Sequence, residues 1–317
     1  MKLSVVTTLY SSAPYLLEFY EKMSQVAAQT VANNYEIILV NDGSQDQSLD
    51  IALLLSKKDS KIIVIDLSKN FGHHHAMRVG LSHATGDRIF LIDCDLEEDP
   101  EWLLRFDQEL TSKKCDLVIG FQRQRKGGVV ERVCGRIFWS LFKWITDMPI
   151  VKSQITARLM TRRFADEFIK FKEREFFLHG VMALVGFEQS HIEVVKKSTS
   201  PTTYPFKKRM SLMLNAITSF STAPLKLVLT VGLSLAVGAM TYACILVIDK
   251  LIFREVIQGW TSVMVSIWFI GGLIISLIGA IGIYISKIFL EIKRRPTAII
   301  REIYRNGSPI VENWRTK

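Results

Sequence analysis

Cysteine is scarce in this chain. Cys94, Cys115, Cys134 and Cys244 are the only four among 317 residues, and their spacing shows no pairs. That excludes a disulfide-stapled scaffold, and a cytoplasmic chain keeps such thiols reduced. No internal repeat or low-complexity segment is present, and no nucleic-acid-binding module. The net charge of +9 therefore points to phosphates and an anionic membrane face rather than to nucleic acid. Met1 to Tyr10 has too short an apolar run for a signal peptide, which fits an N-terminal domain in the cytoplasm.

Charge itself is missing from two stretches. Leu225 to Ile248 carries only Lys226, and Thr261 to Ser286 carries none. At 1.5 Å per residue the first stretch spans roughly 36 Å, enough to cross a bilayer with some tilt. In the second, Gly271, Gly272, Ser276, Gly279, Ala280 and Gly282 would let two membrane helices approach closely. A soluble core helix is the alternative for either, but two in succession favour two transmembrane helices. The connector Asp249 to Gly259 holds two basic and two acidic residues. Lys287, Lys293, Arg294, Arg295, Arg301 and Arg305 follow the second stretch. The positive-inside rule places that tail, and with it the N-terminal domain, in the cytoplasm. The expected organisation is a soluble domain over 1–205, an interfacial amphipathic helix over 206–222 and a first span over 223–249. A short extracytoplasmic loop over 250–259, a second span over 260–287 and a cytoplasmic basic tail over 288–317 complete it.

The first two hundred residues alternate strand-like and helix-like segments. Leu3 to Leu9, Glu36 to Val40, Lys61 to Asp66 and Asp87 to Ile92 read as strands; Pro14 to Gln29, Asp46 to Lys57, His74 to Ala84 and Glu101 to Leu110 read as helices. This predicts an α/β fold with a Rossmann-like, mostly parallel sheet. Ligands of such sheets sit beyond the carboxyl ends of the strands. Asp42 and the run Asp93-Cys94-Asp95 fall at such ends. Bare carboxylates are too costly to keep inside a core, and side chains two apart on a strand share a side. Asp93 and Asp95 thus converge, a hard-oxygen pair suited to Mg2+ or Mn2+ shared with a substrate's phosphates. The alternative is an acidic turn opening the next helix. Residues 131–146 read as an aromatic and basic amphipathic helix, fit either for a membrane interface or for the domain's own core. His73-His74-His75 cannot share one ion in regular structure, so a polar helix start near a pyrophosphate is the better reading.

Asn70-Phe71-Gly72-His73-His74-His75-Ala76, Gly80, Ala84, Gly86-Asp87, Asp93-Cys94-Asp95-Leu96-Glu97-Glu98-Asp99-Pro100-Glu101 and Asn41-Asp42-Gly43-Ser44 with Asp46 form one combination. It resembles the polyprenyl-phosphate glycosyltransferases of glycosyltransferase family 2, bactoprenol glucosyltransferases and dolichyl-phosphate mannose synthases among them. Val185-Gly186-Phe187, Phe220-Ser221, Pro224-Leu225 and the two apolar stretches extend the resemblance over nearly the whole chain.

The resemblance implies a GT-A fold and transfer of a sugar, with inversion, from a nucleotide sugar to undecaprenyl phosphate. The expected donor is a UDP-hexose or UDP-N-acetylhexosamine. By the same resemblance Thr8, Leu9, Tyr10, Ser12, Asp42, Asn70, Gly72 and Asp93 would bind the nucleotide, with Asp42 on the base or ribose. Asp93, Asp95 and Glu97 would hold Mg2+ or Mn2+. Arg123, Arg125, Arg132 and Arg158 would hold the acceptor phosphate, since guanidinium forks bind phosphate bidentately. For Arg123 a solvated surface charge is an equal alternative. Asp93, Asp95 and Arg158 would be catalytic. An inner-membrane, multi-pass protein, a homo-oligomer (a tetramer by resemblance) and a downstream flippase also follow.

Three departures stand out. Thr8-Leu9-Tyr10-Ser11-Ser12 replaces the usual Pro-Val-Tyr-Asn-Glu, and Ile155-Thr156-Ala157-Arg158 replaces Gly-Asp-Phe-Arg. Lys197 to Tyr204 replaces a basic Arg-x-x-Gly-x-Ser-Lys-Tyr element. Thr156 thus stands where an acid is often taken as general base. A phosphate monoester with a second pKa near 6 is already largely deprotonated at neutral pH, so it needs positioning more than a base. Two other readings remain: a catalytically silent protein binding nucleotide or lipid phosphate, and a processive polysaccharide synthase. The second lacks its Gln-x-x-Arg-Trp motif and further spans.

Overall fold

The computed structural model describes residues 1–122, 153–173, 178–196 and 259–310, with scattered helical positions between 225 and 245. The predicted helix over 131–146, the interfacial helix over 206–222, about half of the first span and Arg123, Arg125 and Arg132 lie outside the described residues. The chain divides into two compact units. One takes in the described residues up to 196 and from 296 onward. The other takes in those from 225 to 295.

The first unit is built on a mixed sheet. Its nine described strands are β1 (Leu3–Leu9), β2 (Tyr35–Asn41), β3 (Ile62–Leu67), β4 (Arg88–Leu91), β5 (Leu117–Phe121), β6 (Gln154–Thr161), β7 (Gln189–Glu193), β8 (Ile300–Arg305) and β9 (Ser308–Pro309). They lie in the order β7-β5-β6-β4-β1-β2-β3-β8-β9. The central block β4-β1-β2-β3 is parallel, and β6 and β8 run antiparallel to their neighbours. Every residue of β1 and β2 is buried. Continuous apolar runs of this kind suit central parallel strands covered on both faces.

The covering helices carry apolar stripes at helical spacing. In α1 (Ala13–Val31) the buried stripe is Leu16, Phe19, Met23, Val26 and Ala27, and Pro14 sits in the first turn, where its missing N–H is harmless. In α4 (Trp102–Lys113) it is Trp102, Leu103, Phe106 and Leu110. The helices α2 (Ser48–Lys58) and α3 (His73–His83) complete the first four, followed by the short α5 (Arg162–Phe168) and α6 (Leu178–Leu184). Phe19, Phe90 and Phe106 are fully buried, and each such side chain stabilises the fold by roughly 1.5–3 kcal/mol.

The second unit contains α7 (Trp260–Ile292), five residues longer at its carboxyl end than the predicted second span. Among the described residues its segment Phe269–Ile292 is the one helix long and apolar enough to cross a membrane. The expected basic tail over 288–317 is corrected by the structure. Residues 288–292 finish α7, and β8 pairs antiparallel with β3 over Ile63↔Arg305 to Leu67↔Ile300. The tail therefore contributes sheet to the first unit. A tight Asn306-Gly307 turn, both with positive φ (54° and 70°), joins β8 to β9. That is the two-residue hairpin geometry these residue types favour.

Candidate active site

The carboxyl ends of β1, β2, β3 and β4 point to one edge of the sheet, and so do those of β5 and β7 and the start of antiparallel β6. Asp93 follows β4 in the middle of this edge. Its Oδ1 is buried, accepts no hydrogen bond, and lies 3.2 Å from His73 Nε2, an ion-pair distance. On the far side of the ring, His73 Nδ1 is 2.9 Å from Thr8 Oγ1. Burial pushes the Asp93 carboxyl up, but His73 and then Lys196 outweigh it and hold it below its usual range. Asp95 is raised instead, by burial and by the charge of Asp93. His73 is raised because the carboxylates of Asp93, Asp42 and Asp95 outweigh its own burial.

Two further groups were not assigned a role from the sequence. Glu98 is fully buried and accepts hydrogen bonds from the backbone N–H of Thr156 (2.9 Å) and of Asp93 (3.3 Å). Burial, then the charge of Asp93, pushes it up to about 8. Lys196 Nζ lies 3.3 Å from Glu97 and 3.7 Å from Glu98. Burial would lower it, but the surrounding acids raise it. Lys196 arrives from the chain after β7, too far along the sequence for any motif to tie it to the acids. His73 was visible as the first residue after Gly72 at a helix start, and its carboxylate partner was not.

The nucleotide-side residues divide. Thr8 faces His73, and Tyr10 is 58% exposed at the end of β1. Asn70 is exposed, and Gly72 precedes the first turn of α3. Leu9 corrects the expectation: its side chain is 0% exposed, part of the core, and only its carbonyl serves the loop by accepting from Asp42 N–H. The Ser12 hydroxyl accepts from Tyr10 N–H at 3.0 Å and shapes its own loop. Asp42 is corrected as well. Its buried carboxylate accepts from the backbone N–H of Phe71 (2.7 Å) and Gly72 (3.0 Å), so it braces the loop after β3. Burial raises its carboxyl against those two bonds. Gly43 explains why the loop fits there. Its φ is +66°, and a Cβ on it would stand 2.4 Å from Asn70 N and 2.5 Å from the Lys69 carbonyl carbon. Only glycine tolerates both the conformation and the approach.

Arg158 is the largest correction. It lies opposite Leu91 on β6 with 0% exposure. Its guanidinium donates to the carbonyls of Thr156 (2.8 Å) and Ile155 and contacts Met182 Sδ. Burial pushes it down to about 10, against the pull of Glu98 and Asp93. In this structure it stands as a buried countercharge to those acids. Strand alternation could not reveal this, because Ala157, Arg158, Leu159 and Met160 are all buried.

A divalent cation would draw on the hard oxygens of Asp93 and Asp95, one of which already lies 3.2 Å from His73 Nε2. Glu97 does not complete the set: its N–H donates to Asp95 Oδ1 at 3.0 Å and its carboxylate pairs with Lys196. Among the described residues no group of three or more His, Cys, Asp and Glu side chains is arranged to hold a metal. Cys94 donates to Thr8 O at 3.3 Å, and burial pushes its thiol up to about 12, so it is structural.

Beside the acids, on the β5–β7 flank, lies a cavity of about 240 Å³ lined by Gln122, Ser153, Gln154, Ile155, Thr156, His179 and Lys196. A polar, cationic recess next to an acidic pair, at the carboxyl edge of an α/β sheet, is the arrangement of a transferase handling phosphorylated substrates. The family model described as "Glycosyl transferase family 2" matches residues 4–184. The chain belongs to glycosyltransferase family 2, and it is a glycosyltransferase with a GT-A-like mixed sheet. It is 42% identical over 304 residues to a protein of Mycobacterium tuberculosis named "Putative glycosyltransferases", covering 96% of this chain and 89% of that one. It is 31% identical to the "SfII prophage-derived bactoprenol glucosyl transferase" of Shigella flexneri, covering 98% and 100%. The "Prophage bactoprenol glucosyl transferase homolog" of Escherichia coli K12 is also 31% identical, covering 96% and 99%. The resemblance to the polyprenyl-phosphate branch of the family is thereby borne out.

Proposed function

We propose that this protein transfers a hexose or N-acetylhexosamine from its UDP donor to undecaprenyl phosphate, with inversion at the anomeric carbon. The observation that carries this reading is Asp93 at the midpoint of the edge, paired with His73, which Thr8 backs, and under the charge of Lys196, which itself lines the cavity. The nucleoside lies along the ends of β1–β3, the diphosphate over Asp93 and Asp95, and the sugar with the acceptor head toward the cavity. Names of the Shigella and Escherichia coli relatives support the bactoprenol acceptor.

An oxygen of the acceptor phosphate forms the new bond to the anomeric carbon as the bond from that carbon to the β-phosphate oxygen breaks. The electron pair leaves with UDP. Proton removal is minor, since the phosphate is already ionised; this is consistent with Thr156 at the position of the usual acid. Mg2+ or Mn2+ held by Asp93 and Asp95 would neutralise charge on the departing diphosphate. Lys196 supplies fixed positive charge beside the same oxygens. The protein sits in the inner membrane through two spans, with its first unit and both termini in the cytoplasm, and a flippase consumes the product.

The test is incubation of the full chain in membranes or detergent with a panel of labelled nucleotide sugars, Mg2+ or Mn2+ and undecaprenyl phosphate. Extractable glycolipid that disappears with Asp95→Ala supports the reading. Nucleotide binding without turnover for every donor would establish the silent alternative instead.

A further inference from the structure

The strand beyond the membrane-type helix reaches the nucleotide flank through one side chain. Asp66, next to the end of β3, is 1% exposed. Its Oδ1 accepts from Asn41 Nδ2 at 2.8 Å and its Oδ2 from Arg301 Nη1 at 3.0 Å. The same guanidinium donates through Nη2 to the Ser68 carbonyl at 2.8 Å, while Ser68 N–H donates to the Ile299 carbonyl at 2.9 Å. The ladder between β3 and β8 shifts register between Asp66 and Leu67, which pair with Glu302 and Ile300, so Arg301 is the extra residue at the irregularity.

The loop 68–72 that starts there is gripped from both sides. Asp42 holds the N–H groups of Phe71 and Gly72, Gly43 closes on Lys69 and Asn70, and Arg301 holds Ser68. The loop ends at the first residue of α3, His73, which sits between Thr8 and Asp93. A buried carboxylate is costly unless its partners are complete. Here one of its two partners comes from a residue 235 positions away.

We infer that Arg301 is a positioning residue for the donor nucleotide: the strand after α7 fixes loop 68–72, and through it Asp42 and His73. This rests on the proposed reading of the β1–β3 flank as the nucleotide side. The guanidinium fork reaches Asp66 and the Ser68 carbonyl from two separate nitrogens, a planar spacing that the single compact ammonium of a lysine does not reproduce.

The experiment uses the full chain in nanodiscs. Arg301→Ala should weaken UDP about tenfold, the scale of removing one partner from a partly buried charged bond. It should leave KM for undecaprenyl phosphate unchanged. Arg301→Lys should recover part of the UDP affinity, and Arg305→Ala, on the same strand, should leave it intact. Circular dichroism confirms that each variant is folded. Amide hydrogen exchange provides a readout that needs no ligand: Phe71 and Gly72 should exchange faster in Arg301→Ala while Val5 to Thr7 keep their protection. Unchanged exchange at Phe71 and Gly72 overturns the inference whether or not the protein turns over a nucleotide sugar. Unchanged UDP affinity, or an equal rise in the acceptor KM, overturns it too. A wild type without glycolipid product sinks the proposed reaction and leaves the exchange result to decide on Arg301.

Discussion

The two flanks of Asp93 both offer neutral donors to their carboxylates and differ in whether cations join them. At the ends of β1 and β2 the donors are neutral. Asp42 takes two backbone N–H groups, and Asp46 takes Ser44, Ser48 and the N–H of Ala13, bonds that outweigh its desolvation and hold it down to about 2. Toward β5–β7 Glu98 also takes two backbone N–H groups, but here cations, Lys196 and the buried Arg158, stand beside Glu97, Glu98 and Asp93 as well. Neutral donors fix a shape and add no net charge. Cations balance charge, and that balance changes when an anionic ligand arrives. The first flank thus reads as a preformed cradle and the second as an electrostatic partner to chemistry.

Four outcomes would break or sharpen that contrast. The largest effect is expected at the midpoint: Asp93→Asn and Asp95→Ala should each lower transfer about 10²–10³-fold with little loss of stability, measured as glycolipid formed per minute. On the charged flank, Glu98→Ala strands two N–H groups and leaves Lys196 only Glu97 as a salt-bridge partner, which should cost about 1–3 kcal/mol in a denaturant melt. On the neutral flank, Gly43→Ala forces a Cβ against loop backbone at positive φ. A loss of about 1–3 kcal/mol, together with weaker UDP binding, is expected. An equal loss of acceptor affinity in that variant would erase the distinction between flanks.

The smallest effect concerns Glu36 on β2, whose partners mix both kinds. Burial alone would raise its carboxyl, but Lys2, Ser4 and Thr85 outweigh burial and hold it below the ordinary 4.5. A depressed folded value means its contribution is present above the unfolded value and fades as pH falls through the folded one. Wild type should therefore lose Tm faster than Glu36→Gln between about pH 5 and about pH 3. Parallel acid limbs for the two proteins would show that this carboxylate adds nothing.

Much of the cradle was legible in the sequence. Continuous apolar runs closed by Asn41-Asp42-Gly43 and by Asp93 located β2 and β4, and Pro14 and Pro100 set the starts of α1 and α4 within a residue or two. The carboxylates at strand ends followed from desolvation alone. What escaped was direction and distance. A strand buried on both faces gives no alternation, so Arg158 could be placed in β6 without its inward aim being seen. Asp42 was correctly put at the edge, yet its partners are backbone groups of a loop that side-chain chemistry does not announce. Lys196 meets its acids only through the order of strands in the sheet. The tail carried a usable signal, an Asn-Gly pair behind the strand-length run Ile300 to Arg305, but its basic residues speak only to membrane orientation.

Because β8 follows α7 in the chain, the rim of β3 stays open throughout synthesis of everything between them. An unpaired β-edge is a template for sticking to other chains. The sheet can be sealed only after the bilayer-length helix has been made, so a nascent chain arrested ahead of Ile300 carries a bare edge that invites aggregation.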